Sequence, residues 1–176
     1  MMNVFRWLSM SLLLLSATVN GQTCVDGIDS TTPEDLWVDN GDGTVSDLAT
    51  GLMWRQCSVG QTWSNGSCLG DPEGLNWQEA LAYAHGNQFA GYSDWRLPNL
   101  KELSSLTERA CVRPAINEDL FPSTPSDDYW SATPSVRSAS QAWVVAFFNS
   151  SNALKEKQRF VFARLVRQID PAVAQR

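Results

Sequence analysis

The sequence predicts an α+β fold in which two helices pack against an antiparallel sheet. Two observations carry that expectation: strand-like segments fill both ends of the domain while two amphipathic segments stand together in its middle, and turns rich in glycine and asparagine separate the strands.

The elements follow in order. Leu36–Asp39 and Thr44–Asp47 flank Asn40-Gly41-Asp42-Gly43, whose residues tolerate positive φ and so suit a tight hairpin. Leu52–Gln56 reads as a further strand. From Asn76 to Ala84 the apolar Trp77, Ala80, Leu81 and Ala84 fall three and four apart, which places them on one helix face. Asn76 is the expected N-cap, with Glu79 three residues later. A second helix is expected after Pro98, with Asn99 as cap and Leu100, Leu103 and Leu106 on its buried side. From Asp127 onward the pattern returns to strands: Tyr129-Trp130-Ser131, Gln141–Phe148 and Arg159–Gln168, the last two forming a terminal hairpin with Asn149-Ser150-Ser151-Asn152 as a polar turn.

Arg6 precedes an apolar run from Trp7 to Ala17, the length of a signal-peptide core and too short to span a bilayer. Residues 1–21 are therefore expected to be a cleaved secretion signal, 22–35 an extension tied by Cys24, 36–170 the domain and 171–176 a short tail. A lipid anchor at Cys24 is the competing expectation, but Gly21, Gln22 and Thr23 lack the usual leucine followed by small residues. The longest later apolar run, Ala142–Phe148, is only strand-length, so no membrane insertion is expected after signal cleavage. The expected location is outside the cytoplasm: secreted, periplasmic or at the cell surface.

Secretion gives the cysteines their meaning, because an even number in an oxidising compartment favours disulfides. Cys57 and Cys68 enclose a short polar loop, which makes their pairing the easiest closure and leaves Cys24 with Cys111. Zinc is the rival, but the chain has no C-x-x-C and only one histidine, His85.

The chain of 176 residues carries a net charge of −6 and a sequence pI near 4.7, which argues against nucleic acid as the main partner. The charge is unevenly spread. Gln22–Asp128 holds seventeen acidic and five basic residues, whereas Tyr129–Arg176 holds two acidic and seven basic. Lys155, Lys157 and Arg159 cluster with Arg137 nearby, and Arg164 and Arg167 lie farther along. Two expectations compete for them: long cations blunting an exposed sheet edge, or a site for a sulfated or carboxylated glycan.

Several motifs together carry a resemblance. Asp39-Asn40-Gly41-Asp42-Gly43-Thr44-Val45 is followed by Thr50-Gly51-Leu52-Met53-Trp54, and then by Trp77 with Ala80 and Tyr83. Gly91-Tyr92-Ser93-Asp94-Trp95-Arg96-Leu97-Pro98 with Glu102-Leu103 comes next, and Tyr129-Trp130-Ser131 closes the series. In this order, over about Leu36–Arg167, they resemble the family typified by the C-terminal domain of the Legionella collagen-like adhesin. Trp77 through Glu102 is also similar to the formylglycine-generating enzyme superfamily, which implies a C-type-lectin-like fold. The resemblance to the adhesin domain implies adhesion and supports an extracellular glycan as partner, with an envelope protein as the other expected partner and oligomerisation left open. The enzyme resemblance does not carry its activity over, because that chemistry needs reactive cysteines near the C-terminus and none follows Cys111. Where some relatives have a cysteine in the terminal strand, this chain has Arg164-Leu165-Val166-Arg167, which also favours Cys111 pairing with Cys24.

Most of the signature reads as architecture. Trp54, Trp77, Trp95, Trp130 and Trp143 are expected core rings, and Arg96 is expected to pair with Asp94, Glu102 or backbone carbonyls. Only Trp63, in the polar Cys57–Cys68 loop, suits stacking on a sugar. Calcium is a weak candidate cofactor, through Asp39, Asp42 and Asp47 or through Asp127 and Asp128. The EF-hand spacing fails because the third and fifth positions from Asp39 are Gly41 and Gly43. No catalytic constellation stands out, and a non-enzymatic binding or adhesion module is the expected class. An enzyme of unrecognised type on the same scaffold and a structural envelope or fibre-tip domain are the alternatives.

Overall fold

A computed structural model describes residues 21–169. The expected leader falls, apart from Gly21, outside the described residues, as does the expected tail. No helix among the described residues is long and apolar enough to cross a membrane.

The strands are β1 (Thr23–Cys24), β2 (Trp37–Asp39), β3 (Thr44–Asp47), β4 (Leu52–Arg55), β5 (Thr62–Ser64) and β6 (Ser67–Leu69), followed after the helices by β7 (Cys111–Val112), β8 (Asp128–Pro134), β9 (Gln141–Ala146), β10 (Ser151–Glu156) and β11 (Val166–Gln168). The helices are α1 (Trp77–Gly86) and α2 (Leu100–Ser105). Two antiparallel sheets dominate, with strand orders β11-β4-β3-β2 and β10-β9-β8, and β1-β7 and β5-β6 form two short ribbons. The α+β expectation is met.

Both helices begin where their caps require. Asn76 accepts from Glu79 N–H while Glu79 accepts from Asn76 N–H, and Asn99 and Glu102 repeat the exchange. Each pair satisfies two amides that the helix itself leaves unpaired. Strand β8 then feeds both halves of the core, because successive strand residues point to opposite faces. Trp130 joins Met53, Trp95, Val144 and Leu165 on one side, and Tyr129 joins Trp54, Leu103, Phe121 and Phe147 on the other.

Both disulfides pair as expected, Cys24 with Cys111 and Cys57 with Cys68. Cys24 sulfur is thereby committed, which leaves none for a lipid thioether. The bridge is reinforced by Glu108, whose carboxylate accepts from the backbone amides of Thr31, Thr32 and Ala110 and from the Ser30 and Thr32 hydroxyls. Burial alone would raise the Glu108 carboxyl, but these donors hold it down to about 2.

Three expectations need correction. The terminal hairpin is not β9 with Arg159–Gln168: β9 pairs with β10, and the chain then crosses to the other sheet, where β11 pairs with β4. Ser151 and Asn152, expected in the turn, already belong to β10. Second, Trp54, Trp95 and Trp130 are buried, but Trp77 is half-buried at the edge of the core and Trp143 is half-buried without belonging to it. Third, Arg164 and Arg167 do not line an exposed strand, being 1% and 7% exposed. Arg167 Nε donates to Asp94 at 2.7 Å and its guanidinium lies over Tyr92. Arg164 donates to the carbonyls of Arg55 and Gln56 and, at 2.7 Å, to Thr124 Oγ1.

Candidate functional site

The four cations expected to form one site do not converge. Lys155, on β10, reaches Asp128 on β8, with Nζ 2.8 Å from Oδ2. Lys157 donates from Nζ to Ala139 O at 2.7 Å and lies 4.2 Å from the centre of the Trp77 ring. Arg159 and Arg137 are exposed, and neither guanidinium has a hydrogen-bond or ion-pair partner among the described residues. They face separate depressions.

Arg159 lines a cleft of about 250 Å³ together with Asp127, Asp128, Lys155 and Phe160–Phe162. The two carboxylates balance the two cations, so the cleft has little net charge. The Lys155–Asp128 pair consumes one charge of each sign, and Asp127 Oδ1 accepts from Asp128 N–H at 2.7 Å. Arg159 is left as the cation of the cleft with no partner among the described residues, beside Phe160, which is 73% exposed. Phe160 carried no signal in the sequence, because within an expected strand an apolar residue reads as core. The cleft exists because the chain turns after β10, where Arg159 N–H donates to Glu156 O, and then runs alongside β8 through the Tyr129–Phe162 bridge.

Arg137 rims a second pocket, of about 350 Å³, with Ser135, Val136, Trp143 and Leu154. Trp143 and Leu154 are direct cross-strand partners on β9 and β10, which puts their side chains on one face.

The carboxylates considered for calcium are occupied locally. Asp39 accepts from Gly41 N–H, Asp42 from Thr44 N–H and Oγ1, and Asp47 from Ala49 N–H and the Thr50 hydroxyl. Each closes its own turn. Asp127 and Asp128 share their cleft with Lys155, and among the described residues no three His, Cys, Asp or Glu side chains gather as a metal site. Trp63 is half-buried and its ring covers Gly43, where a Cβ would stand 2.7 Å from Trp63 Cγ. With φ at +88° as well, that position suits only glycine.

Two groups with chemical potential stand elsewhere. His85 is exposed near the end of α1 and has no hydrogen-bond partner among the described residues. Ser58 Oγ lies 2.7 Å from Tyr129 OH, yet both residues have no solvent-exposed surface. Burial raises the Tyr129 phenol, with Arg164 nearby pulling the other way.

The profile of the Lcl C-terminal domain family matches residues 43–167, from the Gly43 turn through Arg167 of β11. The curated proteins contain no match to the chain.

Proposed function

The chain belongs to the Lcl C-terminal domain family, and on that premise we propose that it is an extracellular adhesion-type module whose Arg159 cleft holds one anionic sugar unit of a glycan. The observation that carries this reading is the pairing of an exposed, unpartnered Arg159 with the exposed ring of Phe160. A guanidinium holds a carboxylate or sulfate through paired hydrogen bonds, while an aromatic ring offers an apolar face to a sugar. The Lys155–Asp128 pair at the cleft wall offers a donor and acceptors to hydroxyls. One sugar unit fits this arrangement better than an extended polyanion does, because Asp127 and Asp128 repel a continuous run of negative charge.

Two disulfides support placement in an oxidising compartment. In this reading the module binds without catalysis. His85 stands without a hydrogen-bonded acid or base among the described residues, and Ser58 and Tyr129 are sealed from any substrate. The C-type-lectin-like scaffold implied by the motifs belongs to the same proposal.

Binding of uronic-acid and sulfated oligosaccharides, titrated with and without calcium, tests the reading. Arg159→Glu should weaken binding at least tenfold and Phe160→Ala by a smaller factor, with the melting temperature unchanged. Wild-type affinity should fall as salt rises, since exposed charges are screened over about 8–10 Å. A folded Arg159→Glu variant that binds as the wild type does would remove the cleft from consideration.

A further inference from the structure

Strand β10 is a sheet edge: among the described residues no strand pairs with its outer side, and its contacts beyond β9 include Ser104 Oγ donating to Asn152 Oδ1 and Arg159 N–H donating to Glu156 O. It pairs with β9 over six residues without a bulge and contains no proline. The other edges are short or covered: β2 and β11 have three residues each, Arg96 bridges to Val166 of β11, and Phe162 bridges to Tyr129 of β8. The direction of the free groups follows from the ladder. Lys157 N–H donates to Ser140 O at 2.8 Å, one step beyond the strand and in the same register. Residues of odd number therefore turn their backbone groups toward β9, and Asn152 and Leu154 aim theirs outward. Among the described residues no backbone group pairs with them.

Edges of this kind are usually blunted by lysines that stand out into solvent. Here both candidates are turned away, Lys155 onto Asp128 and Lys157 onto the Ala139 carbonyl. The edge is left open.

We propose that β10 joins a second copy of this chain, antiparallel about a twofold axis at Leu154, to make one continuous sheet from two three-stranded ones. In that register Leu154 faces Leu154, Asn152 faces Glu156 of the second copy, and Lys155 faces Ala153. No like charges meet, and each Asn152 amide finds a carboxylate acceptor. On the same face Trp143 stands beside Leu154, so the axis brings Trp143 and Leu154 of both copies into one apolar strip. The strand is thus complementary to itself, as a twofold interface requires. This pairing does not depend on the Arg159 cleft.

Sedimentation velocity over a concentration series, combined with amide hydrogen exchange, tests it. Wild-type protein should convert from monomer to dimer as concentration rises, with the Asn152 and Leu154 amides becoming protected in step. Asn152→Pro removes an outward N–H that the fold does not use, and Leu154→Lys sets two ammonium groups on the axis. Both should stay monomeric, and if the proline variant fails to fold, the lysine variant decides. Three results overturn the proposal: wild-type monomer at every attainable concentration, a dimer that survives in folded Leu154→Lys, or a dimer whose Asn152 and Leu154 amides still exchange freely. Monomer throughout would leave the edge to a foreign strand.

Discussion

Arg96 and Glu102 meet through two parallel hydrogen bonds, Nη1 to Oε2 and Nη2 to Oε1, each 2.8 Å long. The same carboxylate accepts from Asn99 N–H at 2.7 Å, so one side chain both caps α2 and anchors the loop that delivers it. Burial would raise the Glu102 carboxyl, but Arg96 and the Asn99 amide together hold it below its ordinary value. Glu102→Gln should cost about 1–2 kcal/mol at neutral pH, measured by denaturant unfolding. Because the folded value is depressed, that contribution is present above the ordinary carboxyl pKa and fades as pH falls through the folded one. Wild type and variant should converge in acid. A difference that persists unchanged at low pH would count against the ion pair.

Glu108, just past the end of α2, gives a second acid-sensitive point. Its carboxyl lies at about 2 against an ordinary 4.5, so its stabilisation is complete above the upper value and is lost as pH falls toward the lower. Amide exchange of Thr31 and Thr32 should accelerate in that window before the core amides respond. Glu108→Gln should produce the same local loosening at neutral pH, at a cost of about 1–3 kcal/mol.

Arg164 is a buried cation with no carboxylate partner among the described residues. Burial pulls it down to about 10, opposed by Tyr129, so it remains charged at neutral pH. Its charge is spread over two carbonyls, Thr124 Oγ1 and the face of Phe121 at 4.8 Å. Arg164→Met should cost about 2–4 kcal/mol, because it strands these acceptors in the core rather than because it deletes an ion pair. A thermal melt unchanged from wild type would contradict that role.

Trp95 is 2% exposed, and its Nε1 donates to Phe89 O at 3.1 Å. Trp95→Ala should destabilise by about 3–5 kcal/mol, read from chemical denaturation. A variant with unchanged stability would transfer Trp95 from the core to a binding role.

Local signals were legible and distant ones were not. Asn76 with Glu79 and Asn99 with Glu102 sit three apart, so both capping boxes could be read from spacing alone. The Asn40–Gly43 turn and the Cys57–Cys68 closure are similarly short-range. Strand β10 was hidden because Ser151-Asn152 reads as a turn and Lys155-Glu156 has weak strand preference. Its pairing with β9 decides the matter. Arg164 and Arg167 looked like surface cations because the groups that receive them, Thr124 and Asp94, lie far away in the chain. At the candidate site, sequence could not show that Lys155 and Lys157 are already engaged, because Asp128 and the Ala139 carbonyl that receive them lie well back in the chain. Phe160, read as a strand residue, turned out to be the exposed ring.

The Cys24–Cys111 bridge has a mechanical consequence. A pull applied between Gln22 and Ile169 reaches Cys24 almost at once and passes through the sulfur bridge to Cys111, bypassing the 87 positions that separate them in the chain. The β2–β4 strands, the β5-β6 ribbon and both helices lie inside that covalent shunt and cannot be drawn out while it is intact. Under tension only the stretch beyond Cys111 can unravel, which limits how far a tethered molecule could extend before the backbone itself bears the load.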